Sequence, residues 1–398
     1  MDYRISNRMK ELKPSAIREI FKSLTDPAVI PFAAGNPAAE SFPTTEMSEI
    51  SAAIFADPAV TSQALQYGIT EGYTPLRTLI AGRNKARFNF GREFDTTIIT
   101  SGGQQGIDLT CKVLCNEGDV ILCEEPSFIG SLNSFRSHGA KLVGVPMEDD
   151  GISLEGLEQA MQANKNAKIL YIIPNFQNPT GITLPLYKRK AVYEMAKNAG
   201  MIILEDNPYG ELRFAGQDIP TIKSMDEDGI VVYCSSFSKI LSAGMRVGFL
   251  VAPDALMQKI VVAKQTNDVH TNLFFQMICA RYMEHYDLDA QIQKVRNLYG
   301  KKCRLMLNAL DKHMDKRIDY TRPEGGLFIW CRLPNHLSTA PLVKLAMERK
   351  VAIVPGEAFL SDSSGVSDGF RLNYSTPTEE QITRGIELLA DAVAHYLQ

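Results

Sequence analysis

Short apolar runs alternate with helical periodicity through the middle of this chain, from about residue 46 to residue 285. The runs that predict strands lie at 96–100, 119–124, 141–146, 168–173, 201–205, 230–234 and 247–251, and helical segments between them include 103–117, 152–164 and 185–199. Strands that are apolar on both faces belong to sheets covered by helices on both sides. The pattern therefore predicts an α/β domain over 46–285, built on a mainly parallel sheet of seven strands.

The pattern changes at both ends of the chain. A long helical stretch at about 288–312, short apolar runs around Trp330, Val354 and Leu372, and a closing helix at 378–397 predict a smaller α+β domain over 286–398. Residues 1–45 are mixed: 15–23 has the spacing of a short amphipathic helix, and an extended turn follows. We expect this arm to contribute to the small domain and to the active site.

Composition excludes several classes of function. The chain has 398 residues, of which 45% are hydrophobic, as is usual for a globular protein with a large core. A net charge of −4 gives no reason to expect nucleic-acid or membrane binding, and neither a membrane-spanning run nor a signal peptide is apparent. Seven cysteines without a C-x-x-C pair and six isolated histidines argue against a metal site. Unpatterned cysteines are typical of the reducing cytoplasm.

Five groups of candidate residues each follow a predicted strand, where a parallel sheet places its ligand site. In the first, Gly103 and Gln104 begin a helix, and their backbone N–H groups could bind a phosphate. A plain strand-to-helix turn explains the same residues. In the second, Phe128 could stack on a planar ring, although a core phenylalanine fits equally well.

The third and fourth groups carry an amide, a carboxylate and a phenol. Asn178 lies in an Asn-Pro-Thr-Gly sequence, which is strong turn chemistry and would fix the amide at the mouth of the sheet. Asp206 ends a buried strand, where a carboxylate needs a cation or a hydrogen-bond donor such as a protonated ring nitrogen. Tyr209 follows three residues later. A turn alone and a helix cap remain the respective alternatives.

The fifth group surrounds Lys239, which stands just past a buried strand with Ser236 and Ser238 before it and Arg246 seven residues after it. Its amine could form a Schiff base, and the two hydroxyls with the guanidinium could hold a small anion. An exposed lysine in a serine-rich loop is the alternative. Taken together, the five groups suit an aromatic cofactor that bears a phosphate, an aldehyde and a basic ring nitrogen, as pyridoxal 5′-phosphate (PLP) does.

The order of these motifs resembles the fold type I PLP-dependent aminotransferases of class I/II. Asn-Pro-Thr-Gly, Asp-x-x-Tyr and Ser-x-Ser-Lys-x6-Arg occur in that order, and the resemblance extends from Pro14 to Arg371. The nearest subgroup contains the 2-aminoadipate/kynurenine aminotransferases and the MocR-type regulators.

The resemblance implies a role for each candidate. Lys239 would hold PLP covalently, Asp206 would face the ring nitrogen, Asn178 and Tyr209 would contact the ring hydroxyl, and Phe128 would stack on the ring, where relatives often have tyrosine. The residues expected around the phosphate are Gly103, where relatives often have serine or alanine, with Gln104, Ser236, Ser238 and Arg246.

The resemblance also implies a substrate site and a partner. Arg371 would grip the substrate carboxylate, with Asn178, Gly35 and Arg18 on the substrate side. Tyr67 would reach the phosphate of the neighbouring subunit, so we expect an obligate homodimer with C2 symmetry.

The expected reaction is ping-pong transamination from a 2-aminoadipate-like, aromatic or broader range of amino acids to a 2-oxo acid such as 2-oxoglutarate. Two alternatives remain. One is another PLP enzyme, such as a C–S lyase or a decarboxylase. The other is a MocR-like sensing domain without catalysis, although no basic DNA-binding segment precedes the motifs.

Overall fold

The computed structural model describes residues 3–10, 12 and 26–398. The helix predicted at 15–23, which contains Arg18, lies outside the described residues. The described residues before 26 include a short helix, α1 (Asn7–Lys10). No helix in the described part of the chain has the length and apolarity needed to span a membrane.

The large sheet consists of β1 (Asp95–Thr100), β2 (Val120–Glu125), β3 (Lys141–Glu148), β4 (Gly151–Ile152), β5 (Ala167–Ile172), β6 (Ile202–Asp206), β7 (Val231–Ser236) and β8 (Gly248–Pro253). Its strand order is β1-β8-β7-β6-β5-β2-β3-β4. Strands β7, β6, β5, β2 and β3 are parallel, whereas β8 runs antiparallel to both of its neighbours. The seven predicted strands are confirmed, each to within two residues at either end. The eighth strand of this sheet, β4, has two residues and pairs antiparallel with β3.

Helices cover this sheet: α2 (Thr44–Ala56), α3 (Pro58–Leu65), α4 (Thr74–Phe88), α5 (Gly103–Leu114), α6 (Ile129–Ser137), α7 (Leu154–Ala163), α8 (Leu186–Ala199), α9 (Asp254–Asn267) and α10 (Leu273–His285). Central strand residues such as Ile121, Leu170 and Leu204 are fully buried. That burial explains why these strands have no polar face. Helix α5 ends three residues earlier than predicted because Cys115 adopts an extended conformation.

The C-terminal part contains α11 (Leu288–His313), β9 (Asp319–Tyr320), β10 (Phe328–Arg332), α12 (Ala340–Glu348), β11 (Val354–Pro355), β12 (Gly369–Asn373) and α13 (Glu379–Tyr396). Its four strands form an antiparallel sheet in the order β11-β12-β10-β9. Helix α13 begins with a capping box, because Thr378 and Gln381 each accept a hydrogen bond from the other's backbone N–H. The smaller α+β unit predicted for this region therefore has the expected elements.

The described part of the arm around residues 30–32 lies against this second sheet. The backbone of Ile30 exchanges hydrogen bonds with Lys350 and Ala352, at 2.8 and 3.0 Å, and Asn373 N–H donates to the carbonyl of Phe32 at 2.8 Å. These bonds hold the next residues, 33–36, in a position where the carbonyls of Ala33 and Gly35 accept hydrogen bonds from Arg371 and Lys239. The domain boundaries at residues 45 and 285 stay predictions.

Candidate active site

Lys239 lies at the end of a short 3₁₀ turn, Phe237–Lys239, directly after β7. The turn is fixed because Ser236 Oγ accepts from Ser238 N–H at 3.0 Å. The Lys239 ammonium donates to the carbonyl of Gly35 at 2.8 Å. Burial, together with the guanidinium groups of Arg371 and Arg246, lowers the pKa of Lys239 to about 8. About one tenth of the amine is thus deprotonated at pH 7, and about half at pH 8.

Asp206 is the last residue of β6 and is buried. Its Oδ2 accepts a hydrogen bond from Tyr171 Oη at 2.7 Å. Tyr171 Oη in turn accepts from Ser131 Oγ at 2.8 Å. Burial raises the pKa of Asp206 to about 7, although the hydrogen bond from Tyr171 opposes the effect. A carboxylate has room for further donors. A ligand that brings a cationic N–H would therefore satisfy Asp206.

Tyr171 belongs to none of the sequence motifs that predicted the site. It pairs with Leu204 in the neighbouring strand, and Asp206 is two residues further on, so both side chains point to the same face of the sheet. The alternation of side chains along a strand was the available signal. It becomes usable only once the register between β5 and β6 is known.

Arg371 lies in β12 and is buried against two aromatic rings, with its guanidinium carbon 4.2 Å from the ring centre of Phe328 and 5.1 Å from that of Phe359. Its Nη1 donates to Asn178 Oδ1 at 2.8 Å and its Nη2 donates to the carbonyl of Ala33 at 2.9 Å, while Nε has no partner. Burial lowers the pKa of Arg371 to about 10. A buried guanidinium with an unused donor suits a carboxylate ligand.

Asn178 connects Arg371 with Tyr209. It lies in the loop after β5, where the side chain of Gln177 closes the turn by accepting from Thr180 N–H at 2.9 Å. Burial raises the pKa of Tyr209, and a hydrogen bond with Asn178 opposes that rise. Three predicted residues, from different parts of the chain, therefore meet here.

A second group of predicted residues forms an anion site, which we call the phosphate cradle: the turn Gly102–Gln104 with Ser236, Ser238 and Arg246. Gly102 has φ +75°, a backbone conformation that favours glycine, and a Cβ there would also clash with the end of the Arg246 side chain. No side chain caps α5, whose first residues are Gly103 and Gln104, so its N-terminal N–H groups are available.

The side chains of the cradle contact one another. Ser236 Oγ and Ser238 Oγ are 2.7 Å apart, and Arg246 Nη1 lies 3.4 Å from Ser238 Oγ. Arg246 has a positive φ of 54°, a conformation that is sparsely populated outside glycine and that clusters at functional sites. Arg246 Nη2 also donates to the carbonyl of Ser101 at 3.3 Å.

Phe128 stands next to the cradle. It precedes α6 and is half-buried, and its ring lies where a Cβ on Gly130 would come within 2.5 Å of it. Gln104 Nε2 donates to the carbonyl of the same Gly130 at 2.9 Å. The first and second predicted groups are thus neighbours.

Tyr67 stands apart from these residues. Its side chain is 80% exposed, and its ring meets the edge of His270 at a centroid distance of 5.7 Å. Within a single chain it contacts neither the cradle nor the cluster of Arg371, Asn178 and Tyr209 among the described residues. Arg18, the other predicted substrate residue, lies outside the described residues.

The electrostatics of the site point to an anionic ligand. Lys239, Arg371 and Arg246 are cationic, and both guanidinium groups lower the pKa of Lys239. Within the part of the chain that the structure describes, none of the three has a carboxylate partner at ion-pair distance. Positive charges held together without counter-ions are costly unless a ligand neutralises them.

Residues 28–389 match the family model for aminotransferases of class I and II. The chain belongs to the class I and II aminotransferases. The fold type I architecture and the class of reaction predicted from its motifs are thereby confirmed.

Relatives along the full length agree with this assignment. The aromatic-amino-acid aminotransferase 1 of Thermococcus litoralis is 39% identical over 399 residues, which cover 99% of this chain and 95% of the relative. A crystal structure of Pyrococcus horikoshii kynurenine aminotransferase with PMP superposes with a TM-score of 0.95 at 34% identity, covering 99% of this chain and 98% of the other. The structure of the α-aminoadipate aminotransferase of Thermus thermophilus, solved with N-(5′-phosphopyridoxyl)-L-leucine, superposes with a TM-score of 0.90 at 36% identity. It covers 99% of this chain and 98% of the other.

This aminotransferase is therefore a PLP-dependent enzyme that transfers amino groups of amino acids, and it falls in the predicted subgroup. The lyase and sensing-domain alternatives are not favoured. The roles of the individual residues stay predictions.

Proposed function

We propose that this aminotransferase moves the α-amino group of a 2-aminoadipate-like or aromatic amino acid to a 2-oxo acid such as 2-oxoglutarate, in a ping-pong cycle. The observation that carries the proposal is a set of three cations, Lys239, Arg371 and Arg246, that have no carboxylate partner among the described residues. The buried Asp206 carboxyl adds an acceptor for a cationic ring nitrogen. The names of the similar enzymes, which refer to aromatic amino acids, kynurenine and α-aminoadipate, support the substrate range.

The residues present fit PLP. The phosphate cradle offers uncapped N–H groups, two hydroxyls and the guanidinium of Arg246, which together suit a dianion. Asp206 would pair with the ring nitrogen, Asn178 and Tyr209 would contact the ring hydroxyl, and Phe128 would cover one face of the ring. When bound, the group supplies an electron sink for the bond broken at the substrate Cα.

Lys239 has the proton affinity that the reaction needs. With a pKa of about 8, Lys239 Nζ can take a proton from the substrate Cα near neutral pH and later return it to another carbon of the reacting molecule. The carbonyl of Gly35 holds the ammonium form at 2.8 Å, so that residue helps to fix the direction of Nζ. We assign Lys239 as the general base and acid.

Arg371 would bind the substrate α-carboxylate. Asn178 and Ala33 hold two corners of the guanidinium, so its orientation is set before the substrate arrives. The rings of Phe328 and Phe359 exclude water from its faces, which strengthens an ion pair formed there. Arg18 is proposed to contact the distal part of the substrate.

We also propose a homodimer in which Tyr67 contacts the phosphate held by the partner. Exposed apolar side chains lie near Tyr67 on connected elements: Phe55 is 54% exposed, Leu65 70% and Ile69 55%. Loop residue Gly68 packs on His270 and Leu273, so these positions form one surface. Exposed apolar patches of this kind mark protein interfaces. All seven cysteines are free thiols, which is consistent with a cytoplasmic location.

A single-turnover assay with a panel of amino donors tests the proposed function. We expect 2-aminoadipate, kynurenine and phenylalanine to convert the enzyme-bound cofactor to pyridoxamine phosphate, and 2-oxoglutarate to convert it back. Lys239→Ala is the matched control and should give no conversion. Release of pyruvate and ammonia from a cysteine-type substrate, without formation of pyridoxamine phosphate, would contradict the proposal.

A further inference from the structure

Lys264 is a fully buried lysine in α9 that the proposed mechanism does not use. Its Nζ contacts both oxygens of Asp268, at 2.8 and 2.9 Å, and also Gln105 Oε1 and Thr271 Oγ1, each at 3.0 Å. A lysine with all of its donors engaged below the surface holds its neighbours in one arrangement.

These contacts lead to the residue just before the phosphate cradle. Asp268 Oδ2 accepts from Ser101 Oγ at 3.0 Å, and Gln105 Oε1 accepts from Ser101 N–H at 2.8 Å. Ser101 is thus bound, through its side chain and its backbone, to two groups that Lys264 holds. Its carbonyl also accepts from Arg246, so the network reaches both sides of the cradle.

Lys264 also neutralises the negative charge of Asp268. Burial raises the pKa of Asp268, but hydrogen bonds from Lys264 and Ser101 outweigh it and leave the pKa below its ordinary value. The Asp268 carboxylate is therefore ionised at neutral pH. It is hydrogen-bonded to Ser101, the residue just before the phosphate cradle, which is proposed to bind a dianion. Without a counter-charge it would repel that dianion.

We propose that Lys264 is a positioning residue for the cofactor phosphate: it cancels the charge of Asp268 and fixes Ser101, so that the phosphate cradle accepts an anion. The inference rests on the proposed function, because the anion is the phosphate of PLP. A merely stabilising ion pair would leave the preference for phosphate unchanged.

The chain contains a matched control. Lys223 is also fully buried, and its Nζ pairs with Asp95 at 2.7 Å and with Asp226 at 2.8 Å. Asp95 begins β1, whereas the cradle follows the end of that strand, about 20 Å away for six extended residues. Loss of the Lys223 charge should therefore affect stability without affecting the cradle.

The test compares dissociation constants of the apoprotein for PLP, for pyridoxal, which lacks the phosphate, and for inorganic phosphate. In Lys264→Met we expect PLP and inorganic phosphate to bind about tenfold more weakly, with little change for pyridoxal. Lys223→Met should keep the wild-type ratio of PLP to pyridoxal affinity. The double variant Lys264→Met/Asp268→Asn should recover most of the lost phosphate affinity, because the uncompensated charge is gone.

The inference would be overturned if Lys264→Met kept the wild-type ratio of PLP to pyridoxal affinity, or if the double variant recovered no phosphate affinity. Lys264→Gln, which loses the charge and keeps hydrogen-bonding capacity, provides the same comparison if the methionine variant does not fold. Wild-type apoprotein that binds pyridoxal as tightly as PLP would refute the proposed cofactor site itself, and with it this role of Lys264. The two failures are therefore distinguishable.

Discussion

Replacing Tyr171 with phenylalanine removes the phenol that donates to Asp206 Oδ2 at 2.7 Å. The ring stays in place, against Phe135 at a centroid distance of 5.3 Å, so little packing is lost. The substitution also deprives Ser131 Oγ of its acceptor. The main effect is therefore on the charge of a buried carboxyl.

The expected size of that effect follows from the hydrogen bond. A bond to a charged acceptor contributes about 1.5–3 kcal/mol, and one pH unit in a pKa corresponds to about 1.4 kcal/mol. In the wild-type apoprotein the pKa of Asp206 is about 7. Because the lost bond favours the ionised form, the pKa of Asp206 should rise further in Tyr171→Phe, by about one to two pH units. Most copies of the variant would then hold Asp206 protonated at pH 7.5.

Carbon-13 NMR of apoprotein labelled in its aspartate carboxyls measures this pKa, with Asp206→Asn identifying the signal. Tyr193→Phe is the matched control, because Tyr193 Oη donates to Asp228 at 2.7 Å and has no contact with Asp206. That variant should leave the titration of Asp206 unchanged. An unchanged or lowered pKa of Asp206 in Tyr171→Phe would refute the reasoning.

Three further predictions concern charge and assembly. Arg371→Lys should lower kcat/KM for amino acids about 100-fold, since an ammonium cannot donate two parallel hydrogen bonds; a loss below threefold in steady-state assays would contradict this. Burial raises the folded-state pKa of Asp206 to about 7, so its contribution to the free energy of unfolding of the apoprotein is fully present below about pH 4. That contribution, at most ~4 kcal/mol, is lost as the pH rises through about 7. The free energy of unfolding of Asp206→Asn, measured by urea denaturation at a series of pH values, should lack that part of the pH dependence. A pH profile identical to that of the wild type would contradict this prediction. Mixed subunits carrying Lys239→Ala and Tyr67→Ala should regain activity above both parent dimers, because one site of the hybrid is intact; no gain would exclude a shared site.

Local patterns were sufficient to predict where three candidate residues lie in the fold. Asn178, Asp206 and Lys239 each follow an apolar run, and the carboxyl ends of parallel strands converge whatever the details of packing. The meeting of Asn178 with Arg371 is different, because 193 residues separate them. Only the family resemblance suggested that pair, since no local pattern encodes a contact between the two sheets.

Other features depended on tertiary structure. Tyr171 has the pattern of a core residue inside a strand, and its partner is set by the register of the neighbouring strand. Lys264 occupies a helix in which a charged side chain is typical of an exposed position, yet packing buries it completely. Strand β4 has two residues, too few to produce a hydrophobic pattern. For Tyr171 and Lys264 the deciding interaction is non-local, whereas β4 pairs with the adjacent strand β3 in a hairpin.

The covalent site of the cofactor tests the central claim most directly. The holoenzyme would be reduced with borohydride, which makes an imine bond permanent, then digested and analysed by mass spectrometry. We predict a phosphopyridoxyl group on the peptide that contains Lys239, and its absence from that peptide in Lys239→Arg. An unmodified Lys239 peptide, with the label on another lysine such as Lys264, would contradict the account.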